Sequence, residues 1–184
     1  MIKCIVSVSK DWAIGKVNKE TGIGQLLFNI PADMQFFRAT TQHNIVVMGY
    51  STYMSLPKRP LPNRINIVLW DKAPLPVETK DGAIFFNNFE TLFTFVDMLA
   101  HVGKQLGKEE YDVYICGGGS VYRLFLPYYD EILLTYVDKI DPEATVFFPN
   151  LDEASNYSLE EITGEGKDDT SGLKYEFRTY KRNV

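Results

Sequence analysis

Apolar and polar residues alternate along the chain in two rhythms, one of period two and one of roughly 3.6 residues, and the rhythms trade places repeatedly. The first predicts a strand over Lys3–Ser9; the residues after it, through Ile14-Gly15 and Gly22-Ile23-Gly24, read as a long loop. Pro31 suits the first turn of a helix, and Met34, Phe37 and Arg38 carry that helix to Thr41. Asn44-Ile45-Val46-Val47-Met48 is a buried strand that stops at Gly49, with a short helix from Ser51. Arg64–Trp70 is a strand set off by Pro60-Leu61-Pro62-Asn63, and Ala83–Phe86 is a weaker one. Asn88 is placed to cap a helix whose apolar positions Leu92, Phe93, Val96, Leu99 and Ala100 share a face. Asp112–Cys116 is a buried strand running into Gly117-Gly118-Gly119, and Ser120–Leu126 is a helix ended by Pro127. Glu131–Val137 is a strand. Two more are expected at Tyr157–Thr163 and Lys174–Tyr180, joined by a polar, glycine-containing turn.

Strands that alternate with helices imply an α/β fold, with a mostly parallel central sheet flanked by helices and right-handed crossovers. The last two strands, joined by a short loop, should pair antiparallel and form the edge. No repeat or linker-like tract divides the 184 residues, so residues 1–184 are expected to form a single domain. Ligands in such folds bind beyond the carboxyl ends of the strands. Three segments fall there: Gly49–Thr52, Gly117–Ser120 and the loop after the first strand.

Composition narrows the function. At 45% hydrophobic and 23% charged the chain is ordinary for a soluble protein, and no apolar stretch approaches the roughly 20 residues that span a bilayer. The amino-terminal segment lacks the features of a signal peptide, which makes the cytoplasm the expected compartment and a membrane an unexpected partner. A net charge of −5 argues against nucleic acid as a partner, yet leaves room for a small anionic ligand in a locally positive pocket. Cys4 and Cys116 lie in apolar runs and read as reduced core thiols; with His43 and His101 they show no metal-ligand spacing, so no metal is expected. The 14% aromatic content serves either a heavily aromatic core or a flat heteroaromatic ligand. A monomer is expected.

Gly117-Gly118-Gly119-Ser120 follows an apolar strand and opens a helix. Free amide donors at a helix start, with no side chains in the way, suit a phosphate, although a tight turn with no ligand would also favour glycine. Gly49-Tyr50-Ser51-Thr52 repeats the arrangement, and two such sites fit a dinucleotide better than a single phosphate. Asp33 stands near a helix start, where a carboxylate is favoured by the helix dipole whether or not it has a chemical task.

Ile14-Gly15, Ile30-Pro31-Ala32-Asp33-Met34, Val47-Met48-Gly49, Arg59-Pro60-Leu61-Pro62-Asn63-Arg64, Cys116-Gly117-Gly118-Gly119-Ser120-Val121-Tyr122 and Phe147-Phe148-Pro149 occur in the order and approximate spacing of the dihydrofolate reductases. Each segment is weak alone; six in order, spread over nearly the whole chain, are specific. The chain resembles that family. The resemblance implies an NADPH-dependent oxidoreductase with dihydrofolate as substrate. It makes Asp33 the acid that accepts two parallel hydrogen bonds from the pterin and tunes it, a water delivering the proton, with Thr135 orienting the carboxylate. Arg64 matches the arginine that grips the substrate α-carboxylate. Ile5, Val6, Met34, Phe37, Leu56, Leu61 and Cys116 match the apolar wall around the substrate rings. Ser7, Ile14 and Gly15 match positions near the nicotinamide; Gly49, Tyr50, Ser51, Thr52, Leu69 and Trp70 match the adenosine and phosphate side. Cys116 and Gly117–Tyr122, including Gly118, Gly119, Ser120 and Val121, match the pyrophosphate loop, which in the family carries a cis bond between its first two glycines.

The chain departs from the family pattern in several places. Phe28 stands where a Trp is usual and Leu27 where Pro is usual; that Trp helps hold the catalytic water, and Phe donates no hydrogen bond. Lys16–Leu27 is long and reads as a mobile lid with Gly22 and Gly24 as hinges. Thr145-Val146 replace an Asp-Thr pair, which alters how that lid is latched. Tyr50 occupies a position often basic, and Asp71 one usually filled by a small hydroxyl residue, although Lys72 follows it. NADPH is therefore the expected cofactor and NADH the alternative. Two rival functions are a reductase of the same fold acting on a ribosylaminopyrimidine in riboflavin synthesis, and a folate-binding or assembly-structural protein with Tyr128 and Tyr129 as surface aromatics. Asp33 together with Arg64 favours folate, because the rival substrate carries a phosphate and no glutamyl tail.

Overall fold

The computed structural model describes residues 1–105 and 111–184. In chain order the elements are β1 (Ile2–Val8), β2 (Ala13–Val17), β3 (Gly24–Gln25), α1 (Pro31–Thr41), β4 (Ile45–Gly49), α2 (Tyr50–Ser55), β5 (Ile65–Leu69) and β6 (Val77–Lys80). Then come β7 (Ala83–Phe86), α3 (Phe89–Gln105), β8 (Val113–Ile115), α4 (Gly119–Phe125), a 3-10 turn (Leu126–Tyr128), β9 (Glu131–Val137), β10 (Val146–Phe147), β11 (Tyr157–Lys167) and β12 (Lys174–Arg182). Contacts divide the chain into two compact units. One comprises Met1–Lys3 and Thr41–Tyr128, the other Cys4–Thr40 and Tyr129–Val184, so β1 supplies residues to both.

In the first unit β4 runs parallel to β5 and β8, and β5 parallel to β7. Ile45, Val46, Val47 and Met48 are all buried, as expected of a strand covered on both faces. Asn66 is the polar exception on β5. Its side chain accepts from the Leu61 N–H at 2.9 Å and donates to the Leu61 and Arg64 carbonyls at 2.9 and 3.1 Å, which ties the 61–64 segment to the strand. Asn88 caps α3 as expected, accepting from the Thr91 N–H at 2.9 Å, and Leu92, Val96 and Ala100 form the buried stripe. Pro127 does not itself stop α4. The helix ends at Phe125 and the chain continues as a 3-10 turn containing Pro127, whose fixed φ such a turn accommodates. β6, which pairs antiparallel with β7, is mostly exposed and shows no apolar alternation.

In the second unit β12 lies between β9 and β11 and is antiparallel to both, so the expected pairing of the two last strands holds. Both are longer than their apolar patterns. Gly164 lies opposite Phe177 and Gly166 opposite Tyr175; a Cβ at Gly166 would fall 2.5 Å from the Tyr175 hydroxyl, so glycine lets the ring lie across the strand. The long loop after β1 is corrected: Ile14-Gly15 belongs to β2, and β2 pairs antiparallel with β3 and β10. These are strands of two to five residues made by non-local pairing, too short for a period to register. Tyr129 is fully buried rather than a surface aromatic, while Tyr128 is exposed. The Tyr129 carbonyl accepts from Arg182 Nη2 at 2.6 Å and from the Tyr157 hydroxyl at 3.3 Å.

Candidate active site

Asp33 lies in the first turn of α1 and Thr135 is buried within β9. The Thr135 hydroxyl donates to Asp33 Oδ1 at 2.6 Å, across 102 residues of sequence, leaving Oδ2 without a partner among the described residues. Burial pushes the Asp33 carboxyl above the usual carboxylate range, and the Thr135 hydrogen bond pulls partly the other way. Desolvation wins, so the site holds one fixed, proton-hungry acid with a free edge. Phe37, one helical turn beyond Asp33, is half-buried, while Met34 is 45% exposed and so adds little wall within its own unit. Phe36 stacks on Phe177 at 4.7 Å and anchors α1 to β12. Ile5 and Val6 are buried in β1, and Ser7 is half-buried there.

The other unit carries the remaining candidates. Arg64 donates through Nε to the Pro62 carbonyl at 2.9 Å and through Nη1 to Thr41 Oγ1 at 3.1 Å, which fixes the guanidinium. Leu56 and Leu61 are half-buried. Cys116, just past β8, forms no disulfide and donates to the Tyr114 carbonyl at 3.3 Å; Cys4, likewise unbridged, is buried in the unit that carries Asp33. Burial pushes the Cys116 thiol up to about 12, with the Arg64 charge opposing, so it is inert as a nucleophile at neutral pH.

The turn after β8 is pinned to the end of β4: Cys116 N–H donates to Val47 O and Gly49 N–H to Gly117 O, both at 2.8 Å. The Gly117–Gly118 peptide is cis, as the resemblance implies, and Gly117 has φ +118°. A Cβ at Gly49 would meet Val121 Cγ2 at 3.2 Å, and one at Gly118 would meet Thr52 Oγ1 at 3.3 Å. Glycine at both positions thus lets Val121 and Thr52 close tightly on this turn, with the Thr52 hydroxyl beside Gly118 and Ser120 exposed. Val121 and Tyr122 are buried and serve the packing of this turn. The β4–β5 register sets Gly49 opposite Leu69, which brings the following residues, Tyr50 and Trp70, into a stack at 4.3 Å. Ser51 and Asp71 are exposed beside them.

A profile of the dihydrofolate reductase family matches residues 1–182. The chain belongs to the dihydrofolate reductase family. Among curated relatives, dihydrofolate reductase of Sus scrofa is 31% identical over 197 residues, covering 99% of this chain and 98% of its own. Dihydrofolate reductase type 9 of Escherichia coli is 31% identical over 125 residues, 66% of either chain. The solved structure of dihydrofolate reductase from Enterococcus faecalis complexed with NADP(H) and RAB-propyl superposes with a TM-score of 0.79. It is 26% identical and covers 100% of this chain and 97% of that one, so the chain has the dihydrofolate reductase fold, a mixed sheet with antiparallel C-terminal strands.

The segment after β1, expected to act as a lid across Lys16–Leu27, forms a short β2–β3 hairpin. Asn18 and Ile23 close its tip, and the Thr145 N–H donates to the Gly15 carbonyl at 3.0 Å. Ile14 and Gly15 lie within β2, half-buried. Lys16 Nζ pairs with Asp141 Oδ2 at 2.9 Å and with Glu143 Oε2 at 3.6 Å. This ion pair was not foreseen, because 125 residues separate Lys16 from Asp141 and nothing in either segment marks the other. Phe28 is half-buried just before α1 and brings no polar atom to the acid. Among the described residues no helix is long and apolar enough to cross a membrane, and no group of three or more His, Cys, Asp or Glu could hold a metal ion.

Proposed function

We propose that the protein reduces 7,8-dihydrofolate to 5,6,7,8-tetrahydrofolate with NADPH, and that Asp33 is its acid. The observation that carries this reading is the half-buried Asp33 carboxylate fixed by Thr135 at 2.6 Å, in a chain matched to the family over residues 1–182. When bound, the nicotinamide supplies hydride to a ring carbon of the substrate; the adjacent ring nitrogen takes a proton. The protein must therefore bind, orient and protonate. A carboxylate can accept two parallel hydrogen bonds from the amidine-like edge of a pterin, and Thr135 holds one oxygen so that the acid meets the ring in one orientation. Burial raises the proton affinity of Asp33, which suits a group that shares a proton with the bound ring. Arg64, steadied by Thr41 and Pro62, supplies a fork suited to the substrate carboxylate. The residues of the Gly117 turn fit a pyrophosphate by bare backbone and hydroxyls. The test is loss of reduced nicotinamide absorbance when protein, NADPH and dihydrofolate are mixed. No loss above background, with no binding of a diaminopyrimidine antifolate, sinks the proposal.

A further inference from the structure

The first cation after the carboxyl end of β4 is Lys58, after β5 it is Lys72 and after β8 it is Arg123. Residues 49–57, 65–71 and 111–122 contain no Lys or Arg. Directly after β4 and β5 stands the Tyr50–Trp70 stack, with planes within 9° of parallel. Phe85 stands edge-on to both rings, 6.5 Å from Tyr50 and 6.1 Å from Trp70, and Tyr53 packs edge-on against Phe85 at 5.5 Å. The pair is thus braced from behind, while both rings remain half-exposed. Asp71 follows directly. It is exposed and makes no hydrogen bond or ion pair among the described residues.

The two nicotinamide dinucleotides differ at one place, where the adenosine ribose carries either a hydroxyl or a phosphate ester. A phosphate dianion is held by guanidinium or ammonium groups, whereas a carboxylate repels it. An acid just past a parallel strand instead accepts a hydrogen bond from a ribose hydroxyl. An aromatic face takes the adenine ring of either form without preference. We propose that this enzyme uses NADH as well as NADPH, with the Tyr50–Trp70 stack as the adenine platform and Asp71 as the residue that sets the balance between them. The proposal rests on the reductase reading above and on the resemblance, which matches Tyr50 and Trp70 to the adenosine side of the cofactor, next to Asp71.

The purified full chain allows two independent tests. In the first, kcat/KM is measured for both cofactors at fixed dihydrofolate. The expected ratio is within about tenfold of unity, and Asp71→Ser or Tyr50→Arg should raise it about tenfold or more toward NADPH, through KM rather than kcat. A ratio beyond roughly a hundredfold for NADPH overturns the inference and leaves the reductase reading intact. No dihydrofolate-dependent oxidation of either cofactor overturns that reading instead. The second test needs no turnover: tryptophan fluorescence is titrated with 5′-AMP and with 2′,5′-ADP. The chain has two tryptophans, Trp12 and Trp70, so Trp70→Phe identifies the reporter. Similar affinities, with quenching abolished in Trp70→Phe, support the platform. Quenching that survives in Trp70→Phe, or no quenching by either nucleotide, overturns it. So does tighter binding of 2′,5′-ADP by about a hundredfold that Lys72→Ala removes, because the exposed Lys72 would then be gripping the phosphate.

Discussion

The acid on α1 and the glycine turn after β8 are made of different materials. Asp33 is a single ionisable group whose position depends on one hydroxyl and whose proton affinity depends on burial. The turn has no charged side chain. It consists of glycine backbone with contacts of 3.2 to 3.3 Å around Gly49, Gly117 and Gly118, and the aromatic faces of Tyr50 and Trp70 stand at the ends of the neighbouring strands β4 and β5. Function that hangs on one group should fail sharply when that group is changed. Function spread over backbone shape should resist most side-chain changes and fail only when the shape is altered.

The largest expected effect is at the acid. Asp33→Asn should lower turnover by roughly a hundred- to ten-thousandfold while leaving cofactor affinity, read by fluorescence titration, near its starting value. The same variant should melt higher at neutral pH. Burial raises the folded pKa of Asp33 above its unfolded value, so its contribution to stability is full below the unfolded value and is lost as pH rises through the folded one. Asn removes that loss. An unchanged or lower melting temperature in Asp33→Asn would show that the burial cost is met elsewhere.

Gly117→Ala should do the reverse. With φ +118° and the Tyr122 ring 3.3 Å from the new Cβ, the substitution should cost about 1–3 kcal/mol in stability and weaken cofactor binding. It should spare the pH dependence of whatever activity remains. Wild-type cofactor affinity in this variant would break the contrast drawn above. A smaller effect is expected at Thr135→Val, which removes the hydrogen bond that lowers the Asp33 pKa. Activity should fall by about tenfold, and the pH at which it declines should move upward, because the carboxyl then holds its proton to higher pH. A pH profile that stays in place would reduce Thr135 to a packing residue.

The smallest effect belongs to the hairpin after β1. Its Lys16–Asp141 pair is half-buried, and the Lys16 hydrogen bond is the main cause that holds Asp141 below the usual carboxylate range. Lys16→Ala should change turnover a few-fold at most, with a matching loss of salt sensitivity, since a pair still open to solvent is partly screened. The pairing is expected to persist above the unfolded pKa of Asp141 and to be lost as pH falls through the folded one. Equal salt dependence in wild type and variant would remove the pair from the control of this hairpin.

What the chain disclosed in advance divides along similar lines. Locally encoded features were legible: the Asn88 cap, the Glu131–Val137 strand, the Pro31 helix start and the glycine turn each rest on a few neighbouring residues. Features made by distant partners were not. β2, β3 and β10 have too few residues for a period, and only their pairing makes them strands. Tyr129 looked like a surface residue because nothing nearby hints that Arg182 and Tyr157 close over it. The Tyr50–Trp70 stack was within reach. A parallel β4–β5 register that aligns Gly49 with Leu69 places the next residue of each strand side by side, but the register itself had to be seen.

The second compact unit is discontinuous: Cys4–Thr40 must wait for Tyr129–Val184, whereas Thr41–Tyr128 forms one uninterrupted stretch. A ribosome delivers these pieces in order, so the unit that carries the glycine turn is nearly complete in sequence before Asp33 has its partner. Asp33 emerges early and stays without the Thr135 hydroxyl until a further 102 residues have been made. A nascent chain made only as far as Tyr128 contains the glycine turn and the residues of the Tyr50–Trp70 stack, yet lacks β9, the strand whose Thr135 fixes Asp33.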